Sequence, residues 1–370
     1  MLKFLHVVGA RPNFMKIAPL MDALHQAAAQ RKADLEQVLV HTGQHYSREM
    51  SSLLFEQLGL PEPNINLEVG SGGHGMQTGR IMEAFERVLL EQKPDLVIVV
   101  GDVNSTIACA LDAKKHHIPV AHVEAGLRSF DREMPEELNR VLTDAISDYL
   151  FTTEPVAEEN LAREGVAREK IHFVGNTMID TLLHHRENAL TRDVLDQLNL
   201  RDTPYAVVTL HRPSNVDNPQ ILEGILVALE QISRDLKIVF PVHPRTYNQI
   251  ESNGFSALLE KGNFHLIDPQ GYLDFLCLVA NARLVLSDSG GIQEETTVLG
   301  VPCLTLRHNT ERPITIENGT NRLVGNVGTD IMAGYHEVQS REWAGRRVPE
   351  KWDGKAAGRI AAILLDSFIN

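Results

Sequence analysis

The chain has 370 residues, 43% apolar and 23% charged, with 35 basic against 49 acidic side chains for a net charge of −14. At about 150 residues per domain this is two globular domains, and the composition excludes a disordered, collagen-like or coiled-coil chain. The acidic balance lacks the basic footprint of a nucleic-acid or anionic-membrane binder, so any anionic ligand must rest on a few local cations or backbone amides.

In chain order, short apolar β-branched runs at residues 4–8, 38–41, 96–100, 119–123, 149–152 and 171–174 predict strands. Amphipathic stretches separate them; Ile81, Met82, Phe85, Val88 and Leu89 share one helical face. A helical stretch over 176–200 follows, and a second set of strands is predicted at 206–210, 237–242 and 283–287. Continuous apolar strands suit a parallel sheet covered on both faces, and the alternation predicts an α/β chain. We expect two doubly wound, Rossmann-like domains facing a cleft, residues 1–174 and 175–351. The closing stretch 352–370, helical over 355–368, is expected to pack back on the first domain.

The run Met1–Gly9 is too short, and too broken by His6, for a signal peptide. No stretch approaches about 20 apolar residues, so no membrane span is expected. Cys109, Cys277 and Cys303 stand apart in apolar surroundings without a C-x-x-C pair. They read as buried thiols of a reducing compartment, hence a cytoplasmic protein.

Open α/β sheets bind ligands beyond the carboxyl ends of their strands. After the first strand comes Gly9-Ala10-Arg11-Pro12, then Lys16. This is not the G-x-G-x-x-G dinucleotide fingerprint. Arg11 and Lys16 bracket a helix start and suit a phosphate or carboxylate, although alone they read as two surface cations. Asp102 follows the next strand and alone reads as a helix cap. Glu124, at the end of a buried strand, is harder to dismiss, because carboxylates are seldom buried unpaired. Pro135-Glu136-Glu137 reads as a helix start, where one acid complements the helix dipole and the other is left for chemistry. In the second half His211 follows a strand and is a candidate acid/base. His243 follows the next strand; a lone histidine is usually structural, but two at consecutive strand ends, each with an arginine nearby, favour a functional reading as much as a structural one. Adjacent pairs such as His116-His117 lack a helical metal-ligand spacing, so no metal is expected. Ser287-Asp288-Ser289-Gly290-Gly291-Ile292-Gln293-Glu294-Glu295 joins a strand to a helix. Its glycines admit a phosphate to the free amides of a helix start, and Glu294 or Glu295 suits ribose hydroxyls. An ordinary glycine turn is the competing reading. Arg307 and Arg312 bear cations on a later loop.

These segments together resemble the non-hydrolysing UDP-N-acetylglucosamine 2-epimerases. The resemblance rests on Gly9-Ala10-Arg11-Pro12 with Lys16, Thr42-Gly43-Gln44-His45, Gly101-Asp102, His122-Val123-Glu124-Ala125-Gly126-Leu127-Arg128, and Pro135-Glu136-Glu137 with Asn139-Arg140. It continues through His211-Arg212, Val242-His243-Pro244, residues 288–295 and Thr310-Glu311-Arg312-Pro313. It implies the GT-B-type architecture of sugar-nucleotide glycosyltransferases, with a final helix returning to the first domain. By resemblance Asp102, Glu124, Glu136 and His211 match acid/base positions. Arg11, Lys16, His243, Ser289, Gly290, Gly291, Glu295 and Arg312 match positions that hold the UDP-sugar. Gln44, Arg212 and His243 match part of an allosteric site for a second substrate molecule. Tyr46-Ser47 looks like an insertion there, and residues 69–74 lack an expected arginine. The resemblance further implies a homodimer serving cell-surface polysaccharide biosynthesis, without metal or NAD.

The implied reaction inverts carbon 2 of UDP-N-acetylglucosamine, giving UDP-N-acetylmannosamine. No carbonyl acidifies that carbon's hydrogen, and the missing dinucleotide fingerprint disfavours transient oxidation. Elimination of UDP to a 2-acetamidoglucal, then re-addition, is the expected route. A related UDP-2-acetamido sugar such as a diacetamido uronic acid, a hydrolysing epimerase, a glycosyltransferase and a binding-only protein are the competing readings.

Overall fold

The computed structural model describes residues 1–43, 55, 57–340 and 347–369. The chain divides into two compact units, Met1–Leu183 with Glu350–Asn370, and His184–Pro349.

The first unit is a seven-stranded sheet in the order β3-β2-β1-β4-β5-β6-β7. The strands are β1 Leu2–Val8, β2 Leu35–His41, β3 Ile65–Asn66, β4 Leu96–Val100, β5 Val120–Ala125, β6 Tyr149–Thr152 and β7 Ile171–Phe173. All pairs are parallel. Helices used below are α1 Arg11–Arg31, α2 His74–Gln92, α3 Asn104–Lys115 and α4 Pro135–Ile146. Leu5, Val7, Val38, Val40, Val97 and Val99 pack against Ile81, Phe85, Val88 and Ala108, which gives the sheet its apolar cover. Residues whose side chains lie on one helical face thus meet the β-branched runs, and burial of this kind supplies most of the folding drive.

The second unit repeats the plan with six parallel strands in the order β10-β9-β8-β11-β12-β13. They are β8 Tyr205–Thr209, β9 Lys237–Pro241, β10 Phe264–Ile267, β11 Leu284–Ser287, β12 Cys303–Thr305 and β13 Asn321–Leu323. Alternate residues of one strand serve opposite faces. Ala206 and Val208 join a core with Leu222, Ile225 and Leu229, while Tyr205 and Val207 join another with Leu195, Leu278 and Ile292. Both faces are covered, as a wholly parallel sheet requires. The helices used below are α5 Pro244–Ser252 and α6 Gly290–Leu299.

The expected α/β class and doubly wound sheets are present. Two details differ from the sequence reading. The stretch 176–200 breaks into Thr177–Leu190 and Val194–Gln197. The short strands β3, β10, β12 and β13, of two to four residues, were not predicted, being too short to show a period. The closing helix, α7 Ala356–Ile369, belongs to the first unit. Asp180 caps it from outside, accepting from the amides of Ala356 at 3.1 Å and Ala357 at 2.7 Å. Trp352 Nε1–H anchors the preceding turn on the Thr153 carbonyl at 2.9 Å. The three cysteines are buried and unpaired. Among the described residues no helix is long and apolar enough to cross a membrane.

Candidate active site

In each unit the strand order reverses once, between β1 and β4 and between β8 and β11. At such a switch point the flanking loops part and leave a crevice beyond the strand ends. The residues singled out from the sequence cluster around these two points.

In the first unit α1 starts directly after β1, with Pro12 in its first turn. Asn13 ties the junction down. Its Oδ1 accepts from the Gly9 and Ala10 amides at 3.1 and 2.9 Å, and its Nδ2 donates to the Val100 carbonyl at 3.0 Å. This brings Lys16 under the strand ends, where its Nζ lies 2.5 Å from Glu124 Oε2 with both side chains buried. Gly101, at φ 68°, closes over the pair; a Cβ there would lie 3.6 Å from Lys16 Nζ. Glu124 itself has φ 73°. It sits in β5 where the register with β6 shifts. A left-handed conformation at a side-chain-bearing residue costs about 1–3 kcal/mol and is kept where the surroundings enforce it. Here the bulge aims a carboxylate at the switch point.

Asp102 follows β4 and is not a simple cap. Arg140 on α4 donates to its Oδ2, and Asn139 Nδ2 donates to its carbonyl at 2.8 Å. Arg140 also meets Glu137 at 2.9 Å. Glu137 in turn accepts from the Ser129 and Phe130 amides at 3.0 and 2.9 Å. Burial alone would raise the Glu137 carboxyl, but those amides and Arg140 outweigh it and hold it below the ordinary value. Glu137 is therefore the structural acid of the pair. Glu136 is half-buried and has no hydrogen-bond or ion-pair partner among the described residues.

In the second unit Asp288, at the end of β11, gathers the loop after β8. It is fully buried and accepts from the amides of His211 at 3.1 Å and Arg212 at 2.9 Å and from Asn215 Nδ2 at 3.2 Å. His211 Nδ1 lies 2.8 Å from Asp288 Oδ1. Burial opposes ionisation of Asp288, yet His211 and the two amides hold its carboxyl below the ordinary value. A carboxylate only accepts, so Nδ1 of His211 carries the proton of this contact. Arg212 Nε donates to the Asp288 carbonyl at 2.9 Å. His243 precedes α5 and accepts from the Arg245 amide at 3.2 Å. Burial, then the nearby His211 and Arg245, lower its pKa.

Ser289 precedes α6, and its amide donates to Ser287 Oγ at 3.0 Å. Gly290 and Gly291 form the first turn of α6. A Cβ on Gly290 would lie 2.8 Å from Arg312 Nη1 and 2.9 Å from Glu311 Oε1, so only glycine lets Arg312 pack on this turn. Arg312 is braced by Glu294 at 2.6 Å and Glu311 at 2.5 Å, and Arg307 shares Glu311 at 2.8 Å. With Glu294 tied to Arg312, Glu295, also buried, is the second acid of this turn. A glycine-rich helix start, its dipole and a guanidinium beside it are features that suit an anion.

Gln44 lies outside the described residues, as does the Arg11 side chain. The sequence reading gave no separate role to Arg140, Asp144 or Asp288. The signal for the first two was present on α4: Glu137, Arg140 and Asp144 share one helical face, and all are buried. Among the described residues one group, Glu86, Asp112 and His116, has ligand atoms near enough to share a cation. It lies at the far end of α3, roughly 18 Å along the helix from Asp102. His116 Nε2 lies 3.8 Å from Asp112 Oδ1, and burial holds the Asp112 carboxyl above its ordinary value.

A family model described as UDP-N-acetylglucosamine 2-epimerase matches residues 27–365. The chain is 44% identical over 372 residues to the UDP-N-acetylglucosamine 2-epimerase of Methanocaldococcus jannaschii, spanning 98% of this chain and 99% of that one. It is 40% identical over 370 residues to the UDP-2,3-diacetamido-2,3-dideoxy-D-glucuronate 2-epimerase of Pseudomonas aeruginosa, again spanning 98% and 99%. The crystal structure of the M. jannaschii enzyme in complex with UDP-GlcNAc and UDP superposes with a TM-score of 0.90 at 43% identity, covering 99% of this chain and 100% of that one. The Neisseria meningitidis UDP-GlcNAc 2-epimerase bound to UDP-GlcNAc gives 0.88 at 31% identity, covering 99% and 100%.

Proposed function

Because the chain belongs to the UDP-N-acetylglucosamine 2-epimerase family, we propose that it interconverts UDP-N-acetylglucosamine and UDP-N-acetylmannosamine without hydrolysis. The observation that carries this reading is the strained Glu124, held beside Lys16 at the switch point that also presents Asp102. A carboxylate kept there at a cost in backbone energy suits proton transfer rather than stability.

The reaction runs in two halves. One group removes the carbon 2 proton while the bond from carbon 1 to the UDP oxygen breaks. The former C–H pair becomes the carbon 1–carbon 2 double bond, and UDP leaves with its own pair. A group on the opposite face then returns a proton to carbon 2 as UDP adds back to carbon 1. Asp102, Glu124, Glu136 and His211 are the groups we assign to proton transfer. Arg11, Lys16, His243, Ser289, Gly290, Gly291, Glu295 and Arg312 are assigned to the sugar and to UDP. The helix-start amides and Arg312 stabilise the charge that develops on the leaving diphosphate. Gln44, Arg212 and His243 are retained as the candidate activator site. Clustered carboxylates titrate as a set, so the acid and base pKa values belong to the group.

Chromatography of the purified protein with UDP-N-acetylglucosamine tests the reading. A new UDP-sugar at constant total UDP-sugar supports it. Stoichiometric release of UDP with free N-acetylmannosamine contradicts the non-hydrolysing assignment. The P. aeruginosa relative's name makes the diacetamido uronic acid the second substrate to try, and turnover of that sugar alone would move the substrate assignment.

A further inference from the structure

We infer that His122, Asp144 and Arg128 are positioning residues that fix Asp102 and Glu124 relative to one another; the inference rests on the roles proposed above for those two acids. His122 stands two residues before Glu124 on β5, and its side chain is fully buried. Its Nε2 is 2.8 Å from the Gly101 carbonyl, the peptide that leads into Asp102. Its Nδ1 is 2.6 Å from Asp144 Oδ1 on α4. Asp144 Oδ2 accepts from the Gly126 amide at 3.0 Å, just past the bulge that carries Glu124. Arg128 joins Asp144 at 2.7 Å and Glu164 at 2.6 Å, and its Nη1 donates to the Leu127 carbonyl at 2.7 Å. The same α4 holds Asp102 through Asn139 and Arg140. One buried network thus grips the peptide before Asp102 and the peptide after the Glu124 bulge, and roots both in the helix that carries Glu136.

Burial opposes ionisation of Asp144, but His122 and Arg128 hold its carboxyl below the ordinary value. Both His122 ring nitrogens face acceptors, the Gly101 carbonyl and Asp144. The Asp144 carboxylate is paired with the His122 ring and the Arg128 guanidinium, which is what allows it to stay buried. None of the three reaches the crevice as a proton donor; they act through the backbone they hold. Such a network fixes geometry tightly because each member is satisfied.

The test compares His122→Asn and His122→Gln. Asparagine can keep the Asp144 contact but not the Gly101 contact; glutamine can restore a donor near the Nε2 position. Displacing a catalytic group by an ångström can cost about 100-fold. We expect kcat to fall about 100-fold in His122→Asn and to recover about tenfold in His122→Gln. KM and UDP affinity should stay within about threefold, since loss of transition-state contacts alone leaves them in place. Wild-type kcat in His122→Asn, or a loss that merely tracks the fraction of unfolded protein, overturns the inference. If the wild-type protein turns over no UDP-sugar, the functional reading has failed by itself. Crystal structures of wild type and variants then decide: an unmoved Gly101-Asp102 turn and Glu124 backbone overturn the inference, and a displaced pair supports it.

Discussion

Replacing Asp288 by asparagine is the sharpest perturbation of the second unit. The carboxylate receives the His211 and Arg212 amides, Asn215 Nδ2 and the His211 ring on two oxygens. An asparagine keeps one oxygen and turns an NH2 group towards donors. With its oxygen at the Oδ2 position the asparagine keeps both amides and Asn215 and loses the His211 ring; the other orientation loses three contacts. A buried polar group left unsatisfied costs about 1–3 kcal/mol, so the loss in the better orientation is about 2 kcal/mol. For a unit of this size 1 kcal/mol shifts Tm by about 2–4 °C, which makes the drop roughly 4–8 °C. Turnover falls further than stability, because His211 loses the partner that fixes its tautomer; comparable changes in other enzymes cost up to about 10⁴-fold. Differential scanning calorimetry and a discontinuous epimerase assay on the same sample read both effects. The pH dependence follows from the sign. The folded Asp288 carboxyl lies below its unfolded value, so its contribution is present above about pH 4 and is lost as pH falls through the folded value. A variant with wild-type Tm and wild-type turnover would refute the account of this residue.

Lys16→Met removes the ammonium beside the buried Glu124 carboxylate and should destabilise the first unit by about 3 kcal/mol, with the Lys16→Met, Glu124→Gln double variant recovering part of it in urea titrations. Gly290→Ala drives a Cβ into Arg312 and Glu311; at about 1–3 kcal/mol of overpacking, calorimetry should find UDP bound about tenfold more weakly. Glu136→Gln should abolish turnover yet leave Tm within about 1 °C, because the side chain is half-buried and unpartnered among the described residues. Burial pushes the Asp180 carboxyl up to about 6 from 3.8. Folding therefore favours its protonated form, a contribution fully present below pH 3.8 and lost as pH rises through 6. Relative to Asp180→Asn, the wild type should gain about 3 kcal/mol between pH 7 and pH 4 in chemical denaturation; a constant difference would contradict the cause assigned.

The strand ends were legible because β-branched runs and the residues after them are adjacent in sequence. The sequence alone thus puts Arg11, Lys16, Asp102, Glu124, His211 and residues 288–295 directly after strands. The short strands β3, β10, β12 and β13 were not legible, since two to four residues carry no period. Helix α4 misleads in another way. Its periodicity would bury Leu138 and Leu142, yet these are 42% and 54% exposed while Glu137, Arg140 and Asp144 face inward. Tertiary partners for those charges lie 7 to 38 residues away in sequence, and no local pattern encodes them. The positive φ of Glu124 was equally hidden, because the sequence offers glycine for such conformations at Gly101 and Gly126 on either side.

Proton NMR of the protein with UDP-N-acetylglucosamine in heavy water tests the central claim most directly. The account predicts UDP-N-acetylmannosamine, deuterium entering carbon 2 of both UDP-sugars, and no accumulation of free sugar. Epimerisation with carbon 2 hydrogen fully retained would contradict proton transfer by the assigned acids, and free UDP with N-acetylmannosamine would contradict re-addition.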